Sequence, residues 1–121
     1  TRPLYKDVDE TTIFSLEFPS GAIAECETSY GRSSNLLRAQ CERGWYELSP
    51  FQSYNGVRGQ TSDGILLNQP IDNQQARQMD NDALAILNKS PVLVPGEEGM
   101  RDIRLVEAIF KAAKEGKRIT L

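Results

Sequence analysis

The sequence predicts an α+β fold: an antiparallel, open-faced sheet followed by two helices packed on one of its faces. Two observations carry this. From Thr11 to about Asn68 apolar residues recur with period two, and after Pro70 they recur at helical spacing. Strands first and helices afterwards place the helices on one side of an antiparallel sheet.

Thr11 to Tyr30 is the clearest alternation. Phe14, Leu16 and Phe18 share one face, with Ser15 and Glu17 on the other; beyond the Pro19-Ser-Gly21 break, Ala22, Ala24 and Cys26 share a face. A three-residue loop sets Leu16 opposite Ala24 and Phe14 opposite Cys26, so the two apolar sets meet in a hairpin. A second hairpin begins near Asn35, with Leu37, Ala39 and Cys41 on the buried face. A two-residue turn at Arg43-Gly44 pairs Cys41 with Tyr46 and Ala39 with Leu48, whereas a three-residue turn sets the apolar groups against Trp45 and Glu47. Weaker strands follow at about Val57–Thr61 and Gly64–Asn68, joined by Ser-Asp-Gly.

Ala76, Met79, Ala83 and Ile86 then form an apolar stripe on a first helix, with Asp72 or Asn73 as N-cap and Lys89-Ser-Pro91 as the stop. The second helix covers about Glu97–Glu115, with Ile103, Val106, Phe110 and Ala113 as its stripe and Gly116 as its stop. Glu97, Glu98 and Asp102 sit at the positive end of its dipole, Lys111 and Lys114 near the negative end. A short strand from Lys117 closes the sequence.

The 121 residues, 39% hydrophobic and 26% charged, support one domain with its own core and argue against disorder. A net charge of −3 provides no basic surface for nucleic acid. No apolar run reaches the roughly 20 residues that cross a bilayer. Thr1 is not preceded by Met and no apolar signal segment follows it, which leaves the compartment open between cytoplasm and periplasm.

There is no histidine, so the usual general base and the commonest metal ligand are both missing. Cys26 and Cys41 are too few for a closed zinc site; two packed thiols are favoured, and a cross-strand disulfide stays open. Asp7, Asp9 and Glu10 lack the spacing of a calcium loop. Gly96-Glu-Glu-Gly99 lacks the lysine and hydroxyl of a phosphate loop, and its glutamates repel phosphate. Glu25 and Glu27 are explained by cross-strand pairing with Arg38 and Gln40. No cofactor, metal or catalytic constellation is legible.

Two segments suit a polyol. Tyr30-Gly-Arg-Ser-Ser-Asn35 brings a phenol (Tyr30) and a guanidinium (Arg32) to a strand end, although the local sequence favours an ordinary hairpin bend with a rim aromatic. Gln74-Gln-Ala-Arg-Gln-Met79 opens the first helix with amides and a guanidinium that either enter a cleft or form a solvated face, the latter favoured by the local sequence.

Five blocks in matching order resemble the Gfo/Idh/MocA oxidoreductases. Thr11-Thr-Ile-Phe-Ser-Leu-Glu-Phe-Pro-Ser-Gly-Ala-Ile-Ala24 resembles that family's hairpin with its Phe-x-x-Gly-Ala turn. Thr28-Ser-Tyr-Gly31 and Ala39-Gln-Cys-Glu-Arg-Gly-Trp-Tyr-Glu-Leu48 resemble its strand–turn–strand block. Gln75-Ala-Arg-Gln-Met-Asp80 and Pro95-Gly-Glu-Glu-Gly-Met-Arg-Asp-Ile-Arg104 resemble its closing helices. The wording is nearest the glucose–fructose oxidoreductase branch.

The resemblance implies the C-terminal substrate-binding and oligomerisation domain of an NAD(P)-dependent sugar or polyol oxidoreductase. An N-terminal Rossmann domain would carry NAD or NADP, the catalytic lysine and the acid–base residue, all upstream of the matched segment. This chain would then hold no cofactor itself and be inactive alone. Its partners would be that Rossmann domain, a second copy through the sheet face, and the sugar. Tyr30 matches a strand-end tyrosine that lines the substrate pocket in related inositol dehydrogenases, and the first-helix start around Gln74 and Gln75 matches another lining stretch. Tyr30, Arg32, Gln75 and Arg77 are therefore the candidate substrate contacts. The alternative is a non-catalytic interaction module.

Overall fold

The first hairpin forms with the register that its apolar alternation dictates. In the computed structural model, which describes Lys6 and residues 8–121, β1 (Thr11–Glu17) and β2 (Ile23–Ser29) pair antiparallel with Leu16 opposite Ala24 and Phe14 opposite Cys26. Phe18 N donates to Ala22 O at 2.9 Å, which leaves Pro19-Ser20-Gly21 as the expected three-residue loop. Phe14, Leu16, Ala24 and Cys26 are half-buried, while Ile13 and Ile23 on the other face are exposed. Of the acidic lead-in, Asp7 lies outside the described residues, whereas Asp9 accepts the Thr12 hydroxyl and Glu10 O accepts from Tyr30 N. This hairpin belongs to a first compact unit that ends at Ser34; a second runs from Asn35 to Leu121.

In the second unit, β3 (Leu37–Cys41), β4 (Gly44–Leu48) and β6 (Gly59–Thr61) form an antiparallel sheet in the order β3-β4-β6. The β3–β4 turn has two residues, but they are Glu42 and Arg43 rather than Arg43 and Gly44. Ala39 therefore faces Tyr46, and Leu37 faces Leu48. The register moves by two positions, so each side chain keeps the face its alternation assigned. Gly44 is not spent on the turn because β4 needs it: its φ is 147°, and a Cβ there would lie 2.2 Å from Ser62 Oγ. Ser62 N donates to Trp45 O at 2.8 Å and Trp45 N donates to Ser62 Oγ at 3.2 Å, which locks this close approach.

The expected pair of strands around Ser62-Asp-Gly64 is only partly realised. Its second arm reduces to one bridge, Gln60 with Leu66, and β6 turns instead to β4. A separate ladder joins β5 (Gly56–Val57) to β7 (Gln69–Pro70). The closing strand is absent: residues 117–121 take no regular structure, and Lys117 N donates to Ala112 O as part of the helix stop.

Both helices begin and end where their caps predict. The first, α1 (Gln74–Asn88), starts at Asn73, whose side chain accepts from Ala76 N at 2.9 Å, and stops at Lys89 in the left-handed region. Asn73→Ala is expected to cost about 1 kcal/mol of stability, the usual worth of an N-cap. A change below a few tenths in the urea-derived stability would show that the cap is dispensable. The second, α2 (Gly96–Glu115), carries Glu97 and Glu98 in its first turn and Lys114 in its last, and Gly116 follows in the left-handed region.

What the stripes face differs from the sequence expectation. Ala85 is the one buried hydrophobic side chain among the described residues. On α1 the expected stripe is turned to solvent, with Met79 71% and Ile86 75% exposed. The half-buried Gln74 and Asp82 and the buried Ala85 share the opposite face. On α2 the protected stripe is Leu105, Ala108, Ile109 and Ala112, whereas Ile103, Val106 and Phe110 are exposed. Amphipathic spacing identifies the apolar face but not its cover, and among the described residues nothing covers Met79, Ile86, Ile103, Val106 or Phe110 fully.

Candidate functional site

The polar face of α1 lines a cleft. Gln74, Arg77, Gln78, Asn81 and Asp82 recur at i, i+3, i+4, i+7 and i+8, which stacks them along one side of a helix. With Ile71 before the helix and Leu93 and Val94 beyond its end, they line an open cleft of about 420 Å³ in which Arg77, Gln78, Asn81, Leu93 and Val94 stay exposed to solvent. A surface helix ordinarily turns its apolar stripe inward, and α1 does the reverse. Among the described residues neither Arg77 nor Asp82 forms an ion pair or side-chain hydrogen bond, so the cleft presents a guanidinium, a carboxylate and three amides beside an apolar patch. Neutral, hydroxyl-rich molecules match that combination: amides and charged groups take the hydroxyls, and aliphatic side chains take the C–H surface.

The helix start is held in place by the preceding loop. Gln74 Nε2 donates to Ser53 O, and Ile71 N donates to Asn55 O at 3.4 Å. The loop itself is pinned by Asn35, whose Oδ1 accepts from Phe51 N and Gln52 N, both at 2.9 Å, and whose Nδ2 donates to Gln52 O at 2.6 Å. The Asn35 side chain thus supplies three hydrogen bonds that a regular strand would otherwise provide.

Of the four candidate substrate contacts, Arg77 lines this cleft. Gln75, the next residue round the helix from Gln74, is exposed and is not part of its lining. Tyr30 and Arg32 belong to the first unit. Tyr30 directly follows β2, is 74% exposed, and its backbone N donates to Glu10 O at 2.9 Å. Arg32 is not a free guanidinium: its Nη1 pairs with Glu27 at 3.1 Å, in the open, where such a pair contributes little. Gln78, part of the helix start read from the sequence, also lines the cleft, whereas Asn81, Asp82, Leu93 and Val94 were not singled out by the sequence.

The expected pairing of Glu25 and Glu27 with Arg38 and Gln40 does not occur. Glu25 accepts from the Ser15 hydroxyl at 2.8 Å, Glu27 takes Arg32, and Arg38 pairs with Glu47 at 3.3 Å. The reason is topological: β2 and β3 lie in different sheets, and the ladder partner of β3 is β4. Cys26 and Cys41 are both free thiols; Cys26 is half-buried, whereas Cys41 is exposed rather than on a buried face. No helix among the described residues is long and apolar enough to cross a membrane.

Comparison with known proteins adds two findings. Residues 2–121 match the family model described as the C-terminal alpha/beta domain of an oxidoreductase family, Gfo/Idh/MocA. The fold is similar to that in the crystal structure of the aldose–aldose oxidoreductase from Caulobacter crescentus complexed with glycerol, with a TM-score of 0.85 and 34% identity. That similarity covers 95% of this chain and 36% of the other, so the chain spans about a third of that enzyme's length. A family match over nearly every residue, with a matching α+β fold, leads to one conclusion: the chain belongs to the Gfo/Idh/MocA oxidoreductase family and corresponds to its C-terminal α/β domain.

Proposed function

We propose that this domain forms part of the sugar or polyol pocket of an NAD(P)-dependent oxidoreductase whose nucleotide-binding half is a separate N-terminal Rossmann domain. In the whole enzyme, hydride passes between the nicotinamide and a sugar carbon, and residues upstream of this chain handle the hydroxyl proton. This domain holds no cofactor; it orients the substrate and contacts neighbouring domains. The observation that carries the reading is the inversion of α1, which turns Arg77, Asp82 and three amides into a cleft and its apolar stripe outward. Supporting it, the similar Caulobacter protein is an aldose–aldose oxidoreductase.

The test uses the full-length enzyme. Arg77→Ala is expected to raise KM for the sugar roughly tenfold through loss of one charged hydrogen bond, and Tyr30→Ala roughly threefold through loss of a neutral one, each with kcat nearly unchanged. Unaltered KM in both variants would remove the pocket role. The isolated chain is expected not to bind NADP(H) in a calorimetric titration, and tight stoichiometric binding would overturn the division of labour.

A second reading, a non-catalytic association module, is favoured by the uncovered stripes on α1 and α2. The two readings separate cleanly: the module predicts concentration-dependent self-association of the chain and no effect of Arg77→Ala on catalysis.

A further inference from the structure

We propose that Asn55–Gly56 is a site of spontaneous succinimide formation, left chemically open by the fold and placed where its product disturbs the start of α1. The chain holds two pairs in which an Asx residue precedes glycine, Asn55–Gly56 and Asp63–Gly64. Glycine has no side chain to hinder attack of its own amide on the preceding side chain, so both pairs are reactive in an unfolded polypeptide. The fold treats them differently.

At Asp63–Gly64 both reacting groups are occupied. Gly64 N donates to Thr61 O at 3.0 Å, and the Asp63 carboxylate accepts the Thr61 hydroxyl. At Asn55–Gly56 neither is hydrogen-bonded among the described residues, and the buried Gly56 amide must open to solvent before it loses its proton. Ile71 N donates to Asn55 O, which makes Gly56 and Pro70 the non-hydrogen-bonded pair of the β5–β7 ladder and turns the Gly56 N–H away from β7. The exposed Asn55 side chain makes no hydrogen bond among the described residues. The contrast extends to two other asparagines: Asn35 is engaged through both side-chain atoms, and Asn73 caps α1.

The reaction balances with water alone. The deprotonated Gly56 nitrogen attacks Asn55 Cγ, an N–Cγ bond forms, the Cγ–Nδ2 bond breaks, and ammonia leaves. Water then opens the ring. Attack at Cγ gives aspartate with a normal backbone; attack at the main-chain carbonyl gives isoaspartate, in which the backbone runs through the former side chain. Either product adds a carboxylate to the residue whose carbonyl receives the Ile71 N–H. Isoaspartate also lengthens the backbone by one methylene at the residue whose carbonyl accepts from Ile71, a residue of the cleft. The site therefore ages in a way that degrades its own geometry.

The experiment is a peptide map of the intact chain after prolonged incubation in mildly alkaline buffer, folded and in urea, with fragmentation that separates aspartate from isoaspartate. The folded chain is expected to convert Asn55 to both products while Asp63 stays unchanged; in urea Asp63 forms isoaspartate several-fold faster. Asn55→Gln, whose longer side chain closes a ring far more slowly, should abolish the acid-shifted species on ion exchange. An unchanged Asn55 in the folded chain overturns the proposal, and so does an Asp63 that isomerises equally fast folded and unfolded.

Discussion

Gly56→Ala is expected to destabilise the second unit by about 2–5 kcal/mol, the sum of a strained backbone and an overpacked contact. The residue holds φ at 101° and is buried, and a Cβ there would lie 2.0 Å from Gln69 O and 2.9 Å from Pro70 Cα. All of those atoms are backbone, so no side-chain rotation relieves the clash; β7 must move away from β5. Gly21→Ala provides the control. Its φ is 84°, but nothing lies within 4 Å, so only the backbone strain applies, about 1 kcal/mol. Urea unfolding of the two variants separates the contributions, and a Gly56→Ala loss no larger than that of Gly21→Ala would show that β5 and β7 are not held so closely.

Met79→Lys combined with Ile86→Lys is expected to leave the isolated chain within about 0.5 kcal/mol of its original stability, as exposed substitutions usually do. In the full-length protein the same pair should cost about 4 kcal/mol or more, because each side chain forfeits about 1.5–3 kcal/mol of burial and an unpaired charge is driven into the interface. Thermal unfolding of both forms reads the difference. Equal effects in the two would mean that the outward stripe of α1 has no cover in the enzyme. Proteins seldom leave a contiguous apolar helix face in water without a partner for it.

The sequence expressed different parts of this structure unequally. The β1–β2 register was legible because loop length and period-two alternation agree on one answer. The β3–β4 register was ambiguous in kind: a shift of two residues preserves every face, so alternation alone does not choose between Arg43-Gly44 and Glu42-Arg43 as the turn. The β5–β7 ladder joins two residues to two others across more than ten positions, too short to leave a pattern. Helix ends were readable from Asn73, Lys89-Ser-Pro91 and Gly116 because caps are local chemistry. Helix orientation was not, since a stripe buried by a neighbouring body looks the same in sequence as one buried by its own sheet. For the same reason Arg77 was identifiable only as one of two alternatives, solvated face or cleft wall, and nothing local marks Asp82, about one and a half turns later, as different from a solvated helix carboxylate.

Trp45 is the chain's single tryptophan, and the Arg38 guanidinium lies 4.4 Å from the centre of its ring. That stack, worth about 0.5–1 kcal/mol at an exposed position, gives the β3–β4 pair a built-in optical reporter. Indole emission follows the second unit alone, whereas far-ultraviolet circular dichroism records both. Melting curves that coincide by the two signals would mean that the units share one cooperative transition; curves that part would time the hairpin of β1 and β2 separately.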